Sequence, residues 1–411
     1  MNNQIEISYI PEVVFGTTPT DVAPKQLRFT GESLNYDIAS MLSSQINTDR
    51  QLRHLLQLNS SLSGDINFEL SFQAYDNFFE ALFFSTWDDH VYIISSVVSV
   101  ATDTTNRFET TDATLFADVK TGSFILIDGF SIAANNGIHF VTSVATLSLT
   151  TNSTLQKENA GNDIWIRGRM LRNGVTKKTF SVQKQFDTSY FIYKGMCVSS
   201  MSLDFTPGAL VTGNFNFIGK SLSLLTTTFT SEIQTDSPAF PAMSASKHIS
   251  QILNSNVPLD ECLIKDFKLN YTNNLRQHYS IGERDICSLG VGAIGANGST
   301  TIYFKDKTFY ETYLSGGNVR LSFVLKDESD NYFIITLPRI KFTQNKINAS
   351  GTNQDCLQNI TFECLRDSTT DCMIQLDSLC SLDDLSIPTD AFETESGSYI
   401  FMETNEFITL E

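Results

Sequence analysis

Basic residues are scarce in this chain: 28 lysines and arginines stand against 46 aspartates and glutamates over 411 residues, a formal net charge of −18. That balance excludes a nucleic-acid binder that works by neutralising phosphates. After Arg366 there is no Lys or Arg while acids continue to Glu411, which reads as a solvated segment or as one that repels a polyanion. Long apolar runs are missing as well. The longest, Val91 to Val100, is broken by serines and too short and polar to span a bilayer, so no membrane partner is expected. The opening MNNQIEISYIPE has neither a basic stretch nor an apolar one, and export by a standard signal route is not expected. The seven cysteines are odd in number and lack any CxxC pair, which argues against a disulfide scaffold or a zinc ribbon. Cys356, Cys364, Cys372 and Cys380 recur at a spacing of eight, which suits one strand face, but metal sites favour short paired spacings on turns. No metal and no cofactor are expected.

Catalytic signatures are also lacking. His54, His90, His139, His248 and His278 lie far apart, with no HExxH and no GxSxG nucleophile elbow. Gly290 to Gly295 matches GxGxxG, yet a strand pattern comes next where a dinucleotide site needs a helix, so the stretch reads as a hairpin tip. GNFNFIGKS, Gly213 to Ser221, has five residues between its glycines where a phosphate cradle needs four, and its aromatics alternate as in a strand. The pairs Asp88-Asp89 and Asp383-Asp384 sit in turn-like contexts. The chain reads as a non-enzyme.

What is present is strand, and it is present twice. Leu62, Ile66, Phe68, Leu70 and Phe72 alternate with polar residues, the period of a strand with one face on a core and one in water. The same alternation marks Met201, Leu203 and Phe205, and then Phe215 and Phe217, across the Pro207-Gly208 turn, predicting a hairpin. Helix is rare: Asp76 is placed to cap one short helix with Phe78/Leu82 and Phe79/Phe83 pairs, and Asp306 another with Phe309/Tyr313 and Tyr310/Leu314. The order of these pieces repeats. Leu34-Asn35-Tyr36, a strand opening at Gly64, and the helix turn Phe78-Phe79-Glu80 answer to Leu269-Asn270-Tyr271, a strand opening at Gly298, and Phe309-Tyr310-Glu311. A strand pair comes after each helix, and MSLDFTPGALVTGNFNFIG closes the first copy as IKFTQNKINASGTNQDCLQNITFEC closes the second. A repeat fixes architecture before any residue is interpreted.

The fold class expected is all-β, a duplicated β-sandwich with one short helix per copy and an inserted small β-domain. The first copy spans 1–91 with 169–221, the insertion 92–168, a Thr/Ser/Pro-rich linker 222–263, the second copy 264–376 and an acidic extension 377–411. Within the insertion, GSFILIDGF and IHFVTSVATLSLTT flank an Asn136-Gly137 turn and read as a hairpin; SGSYIFM and EFITL suggest another near the end. Both copies keep a long connection after the LNY phrase, IASMLSSQINTDRQLRHLLQLN and TNNLRQHYSIGERDICSLGVGAIG, and paired loops of this length favour function. Their arginines Arg50, Arg53, Arg276 and Arg284 are candidates for bidentate pairing with carboxylates of a neighbouring subunit or ring.

YIPEVVFGTTP, LRFTGESLNYD, SSQINTDRQ, SLSGDINFELS, FTPGALVTGNFNFIGKS and TLPRIKFTQNKINASGTNQDCLQNITFE, in that order, resemble the major tail tube proteins of long-tailed, siphovirus-like bacteriophages. The likeness covers most of Ile5 to Leu376; the acidic segment beyond departs from it. It implies sandwiches whose inner sheets join into a barrel around a DNA-conducting channel, in rings stacked as a tube. Single-domain relatives stand six to a ring, so a doubled chain implies a homotrimer with pseudo-sixfold symmetry. Tail terminator, tail tip and tape-measure proteins are the implied partners, with assembly in the host cytoplasm and a final place in the virion tail. On that reading Asp65, Asn67, Glu69, Ser202, Asp204, Asn214 and Asn216 line the channel, as polar faces of strands whose other faces are core. The rival reading is an all-β adhesin or carbohydrate-binding module.

Overall fold

A computed structural model describes residues 5–46, 48, 51–88, 91–101, 106–260, 263–349, 351–381, 391–393 and 399–401. The first copy runs β1 (Ile5–Glu12), β2 (Asn35–Leu42), β3 (Leu55–Glu69), helix α1 (Asp76–Phe83), β4 (Thr179–Phe186), β5 (Ser189–Phe205), β6 (Thr212–Gly219) and β7 (Ser221–Leu225). The second runs β8 (Ile249–Asn254), β9 (Ile264–Thr272), β10 (Gly295–Tyr303), α2 (Thr308–Ser315), β11 (Val319–Lys326), β12 (Tyr332–Ala349), β13 (Cys356–Cys364) and β14 (Gln375–Leu379). Every element of the first copy thus has a counterpart seven strands later. The stretch 222–263 supplies most of β7 and all of β8, and β14 extends past Leu376 to Leu379.

Each copy is a sandwich of two antiparallel sheets that share one long strand. In the first, the inner sheet is β2-β3-β6-β5 and the outer sheet is β1-β4-β5-β7, with β5 bending from one to the other. In the second, β9-β10-β13-β12 and β8-β11-β12-β14 repeat the order. Even the irregularities repeat: the register shift between Val198 and Ser200 against β6 recurs between Phe342 and Gln344 against β13. A bulge bends the strand that carries it, which suits a strand changing sheets. Gly64 and Gly298 are equivalent for a steric reason, since a Cβ would lie 2.5 Å from the Ser33 carbonyl oxygen in one copy and 2.3 Å from that of Lys268 in the other. The predicted hairpin across Pro207-Gly208 is β5–β6.

One core serves both copies. Phe68 stacks on Phe215 with ring centroids 4.5 Å apart, Phe78 sits edge-on to Phe180 and Phe217, and Phe79 reaches Phe333 of the second copy. Burying each such ring is worth roughly 1.5–3 kcal/mol over leaving it exposed, so these contacts fix how the copies sit. Asp76 does not cap α1. Tyr75 holds that position with no side-chain bond, and the Asp76 carboxylate instead pairs with Arg169, because a buried acid gains more from a buried guanidinium than from backbone N–H groups. The N-cap position of α2 is likewise not the expected acid but Lys307, without a side-chain bond; Asp306, one residue ahead, accepts the Thr308 N–H at 2.7 Å, which holds its carboxyl below the ordinary range.

The insertion has its own core around Phe108, Ile125, Ile127 and Ile166, and the expected hairpin pairs Phe124–Asp128 with Gly137–Ala145. Its strand Ile164–Arg172 leaves that core and pairs with β14, while Phe124, Leu126 and Phe140 pack on Leu253, Val324 and Ile334 of the second outer sheet. The insertion therefore covers the side of the second sandwich away from the inner sheet. Near the end, Tyr399–Phe401 pairs with Ala391–Glu393; the residues 406–410 expected as its partner lie outside the described residues.

Candidate functional site: a continuous polar sheet face

The two inner sheets are one. Ser200 to Phe205 of β5 pairs antiparallel with Thr272 to Phe267 of β9, giving the eight-strand order β2-β3-β6-β5-β9-β10-β13-β12 within one chain. Side chains alternate across a sheet, so its core face carries Ile66, Phe68, Phe215, Phe217, Met201, Leu203, Phe267, Leu269 and Phe362, all buried. The opposite face is polar along its whole width.

All seven residues expected to line a channel stand on that polar face. Asn214 lies opposite Asn67, Asn216 opposite Asp65, and Ser202 opposite Asn214. Their side chains bond across the strands: Asn216 Nδ2 donates to Asp65 Oδ1 at 2.8 Å, and the Ser202 hydroxyl donates to Asn214 Oδ1 at 2.9 Å. Glu69 closes one end of the row opposite Thr212, and Asp204 meets Lys268 Nζ at 3.1 Å across the joint between the copies. The amides and hydroxyls satisfy one another, and such cross-strand pairs stabilise the sheet from its wet side.

Sequence reasoning missed the half of this face that the second copy supplies. Asn270 sits beside Asn297 at 3.4 Å, the Thr301 hydroxyl donates to Asn359 at 3.1 Å, and Thr361 meets Thr343 at 2.8 Å. Asp266 and Glu363 add acids, and Lys268, Lys341 and Lys346 add cations from β9 and β12, with Lys341 directly opposite Glu363. The repeat is the signal that finds most of them, since Asn270, Thr301, Asn359, Thr361 and Lys346 align with Asn35, Asn67, Asn214, Asn216 and Ser202 of the first copy.

The loop arginines fare differently. Arg50 lies outside the described residues, and Arg53 is exposed between β2 and β3. Arg276 donates to the Val291 carbonyl at 3.2 Å, and the Arg284 guanidinium lies 4.0 Å from its neighbour Asp285. The second long loop folds back onto strands β2 and β3: Ser60 N–H donates to the Arg284 carbonyl at 3.0 Å, Tyr279 to the Ser60 carbonyl at 3.0 Å, and the Tyr36 hydroxyl to Asp285 at 2.5 Å. Burial, reinforced by that acid, pushes the Tyr36 phenol up.

Elsewhere, His139 is enclosed between Ser153 and the Asn135 carbonyl, at 2.9 and 3.1 Å, and burial lowers its pKa to about 4. Cys364, Cys372 and Cys380 are buried and Cys356 half-buried. Among the described residues no three His, Cys, Asp or Glu side chains are grouped to hold a metal ion, and no helix is long and apolar enough to cross a membrane. The Gly290-to-Gly295 stretch links the short strand Ser288–Gly290 to β10, and Gly213–Gly219 lies inside β6.

No curated protein matches the chain at a significant level. A family model described as phage tail tube protein matches residues 2–364, which takes in both inner sheets and the insertion. With nearly the whole chain matched, and with strands and face arranged as above, the chain belongs to the phage tail tube protein family.

Proposed function

We propose that three copies of this chain close into a ring with pseudo-sixfold symmetry, and that rings stack into the tail tube through which genomic DNA passes. The observation that carries the reading is the eight-strand sheet, polar on one face, whose two outer strands are left open. Among the described residues β2 pairs only with β3, and the C-terminal half of β12 only with β13. Open edges of this length invite pairing with another chain. Eight strands closed on themselves make a barrel just wide enough for side chains, whereas three chains of eight give roughly three times that diameter, wide enough for an aqueous channel. Fusion of two copies also removes one association per pair, each costing on the order of 4–15 kcal/mol in lost freedom. The subunit interface belongs to the obligate class, above about 2,000 Å².

The channel wall is then governed by charge. Duplex DNA carries one negative charge per ~1.7 Å of axis, so a basic wall would hold it. Here acids and amides predominate, and Lys268 is already neutralised by Asp204. Repulsion reaching about 8 Å at physiological salt keeps the duplex off the wall. The insertion, on the far side of the sandwich, faces outward, and the long connections after β2 and β9 reach the next ring, offering Arg50, Arg53, Arg276 and Arg284 to its carboxylates. Tail terminator, tail tip and tape-measure proteins are the partners at the tube ends and in its lumen.

Electron microscopy of purified protein tests the assembly: hollow rings or tubes with threefold averages support it, and a lone monomer at all concentrations rejects it. Asp65→Lys, Glu69→Lys and Asp204→Lys together should leave tubes intact and impair DNA delivery. Unchanged infectivity would remove the channel assignment.

A further inference from the structure

The joint that the chain makes with itself gives the register of the joint it makes with its neighbour. This rests on the ring reading and adds to it the residues in contact. The shared bulge equates Ser200 with Gln344, an offset of 144 positions, and the LNY phrases equate Leu34 with Leu269, an offset of 235. In the internal joint Met201 faces Tyr271, Ser202 faces Asn270 and Leu203 faces Leu269. We propose that β12 pairs antiparallel with β2 of a second copy, placing Asn345 opposite Tyr36, Lys346 opposite Asn35 and Ile347 opposite Leu34, while Leu314 of α2 packs on that copy's Tyr36.

Two apolar side chains point to this occupant. Leu203 is 1% exposed inside the internal joint, but its counterpart Ile347 is 39% exposed at the open edge. Phe83 of α1, 1% exposed, lies 5.1 Å from the ring of Tyr271, but its counterpart Leu314 on α2 is 68% exposed, and Tyr271 corresponds to Tyr36. Both are buried wherever a following copy exists and bare where the chain ends its pair of copies. A second copy of this chain supplies what each lacks, because its β2 is the counterpart of β9.

Charge makes the two joints distinct. In the internal joint the acid is on the leading strand, Asp204, and the lysine on the following one, Lys268. At the outer joint the leading strand carries Lys346, and the following strand carries Asp37 two positions from its partner Asn35, within reach of a long side chain. Exchanging the partners would set Lys346 near Lys268 and leave Asp204 opposite Ser33, without its lysine. Each edge thus favours its own partner over the other.

Cysteine cross-linking of the assembled full chain tests the register. Asn35 and Lys346 are both exposed, so Asn35→Cys with Lys346→Cys leaves the core untouched; Cys262→Ser, Cys287→Ser and Cys356→Ser remove competing thiols. Directly opposed strand residues lie within disulfide range, whereas diagonal neighbours about 7–8 Å apart do not. Oxidised rings should give a non-reducing gel ladder that stops at three chains. Asn35→Cys with Gln344→Cys, two residues out of register, should give at least tenfold less. Rings by microscopy with no ladder, or with a ladder from the shifted pair, overturn the register and leave the ring standing. Absence of rings in the unmodified protein overturns the ring, and the register with it.

Discussion

Helices α1 and α2 carry the same phrase, Phe78-Phe79-Glu80 and Phe309-Tyr310-Glu311, yet α1 buries five side chains and α2 buries none. The difference comes from the elements packed against each helix. α1 is wedged between its own sheets and the second copy, with Phe79 against Phe333, Phe83 against Tyr271, and the Leu82 carbonyl accepting Asn273 Nδ2 at 2.8 Å. α2 is held on one side only, by Phe309 against Phe342 and by Asn345 Nδ2 donating to the Phe309 carbonyl at 3.2 Å. Its sequence has adjusted, with Tyr310, Thr312 and Tyr313 where α1 has Phe79, Ala81 and Leu82. An unpartnered face must stay wet until a partner arrives, and hydroxyls make that tolerable. The outer strands show the reverse contrast: β7 is partly exposed, whereas its counterpart β14 is wholly buried beneath the insertion.

The sharpest way to break this comparison is to cut the same side chain from both helices. Phe83→Ala should cost about 3–5 kcal/mol of chain stability by chemical denaturation, the usual penalty for a large core ring. Leu314→Ala should change the isolated chain by no more than ~0.5 kcal/mol while reducing ring yield in sedimentation. Equal losses in stability would show that α2 is as fully packed as α1. Next in size is the buried ion pair at the start of α1; the pair on α2, Lys307 with Glu311, lies in solvent. Asp76→Ala strands the Arg169 guanidinium in a buried site and should cost about 3 kcal/mol, with Arg169 retaining its stack on Trp87 at 4.5 Å.

A smaller effect separates β14 from β7. Asp377 accepts the Phe124 N–H at 3.2 Å and Gln375 Nε2 at 2.8 Å, and burial pushes its pKa up to about 7. Its folded value is raised, so the stability it contributes is full below the unfolded carboxylate value and is lost as pH rises through about 7. Melting temperature should therefore fall between about pH 4 and 7 and level off above, and Asp377→Asn should remove about 2–4 °C of that fall. An identical pH slope in the variant would exclude this group. Least of all should Lys268→Gln matter: the Asp204 pair is half in solvent, and its loss should cost under ~1 kcal/mol, less still at high salt.

Much of this is legible in the residues. Alternation in Leu62–Phe72 and Met201–Phe205 locates the strands and the polar positions Asp65, Asn67, Glu69, Ser202 and Asp204, because period two is set by backbone geometry alone. Strand Ile249–Asn254 escapes notice in its Pro-flanked stretch, since an edge strand of six residues leaves little periodic signal against the Ser and Thr around it. The second-copy face is equally readable through the repeat. Asp76 looks like a cap because local spacing cannot reveal Arg169, 93 positions away, which claims the carboxylate.

Composition, alternation and repetition by themselves determined that this is an acidic, all-β chain made of two like copies, because those properties belong to the backbone and to neighbours a few residues apart. Only the tertiary structure decided that β5 meets β9, that the two polar faces run together, and that α1 is enclosed while α2 is bare. Those are matters of which edges meet, and contacts between residues far apart in sequence are fixed by packing over the whole core, which no local pattern encodes.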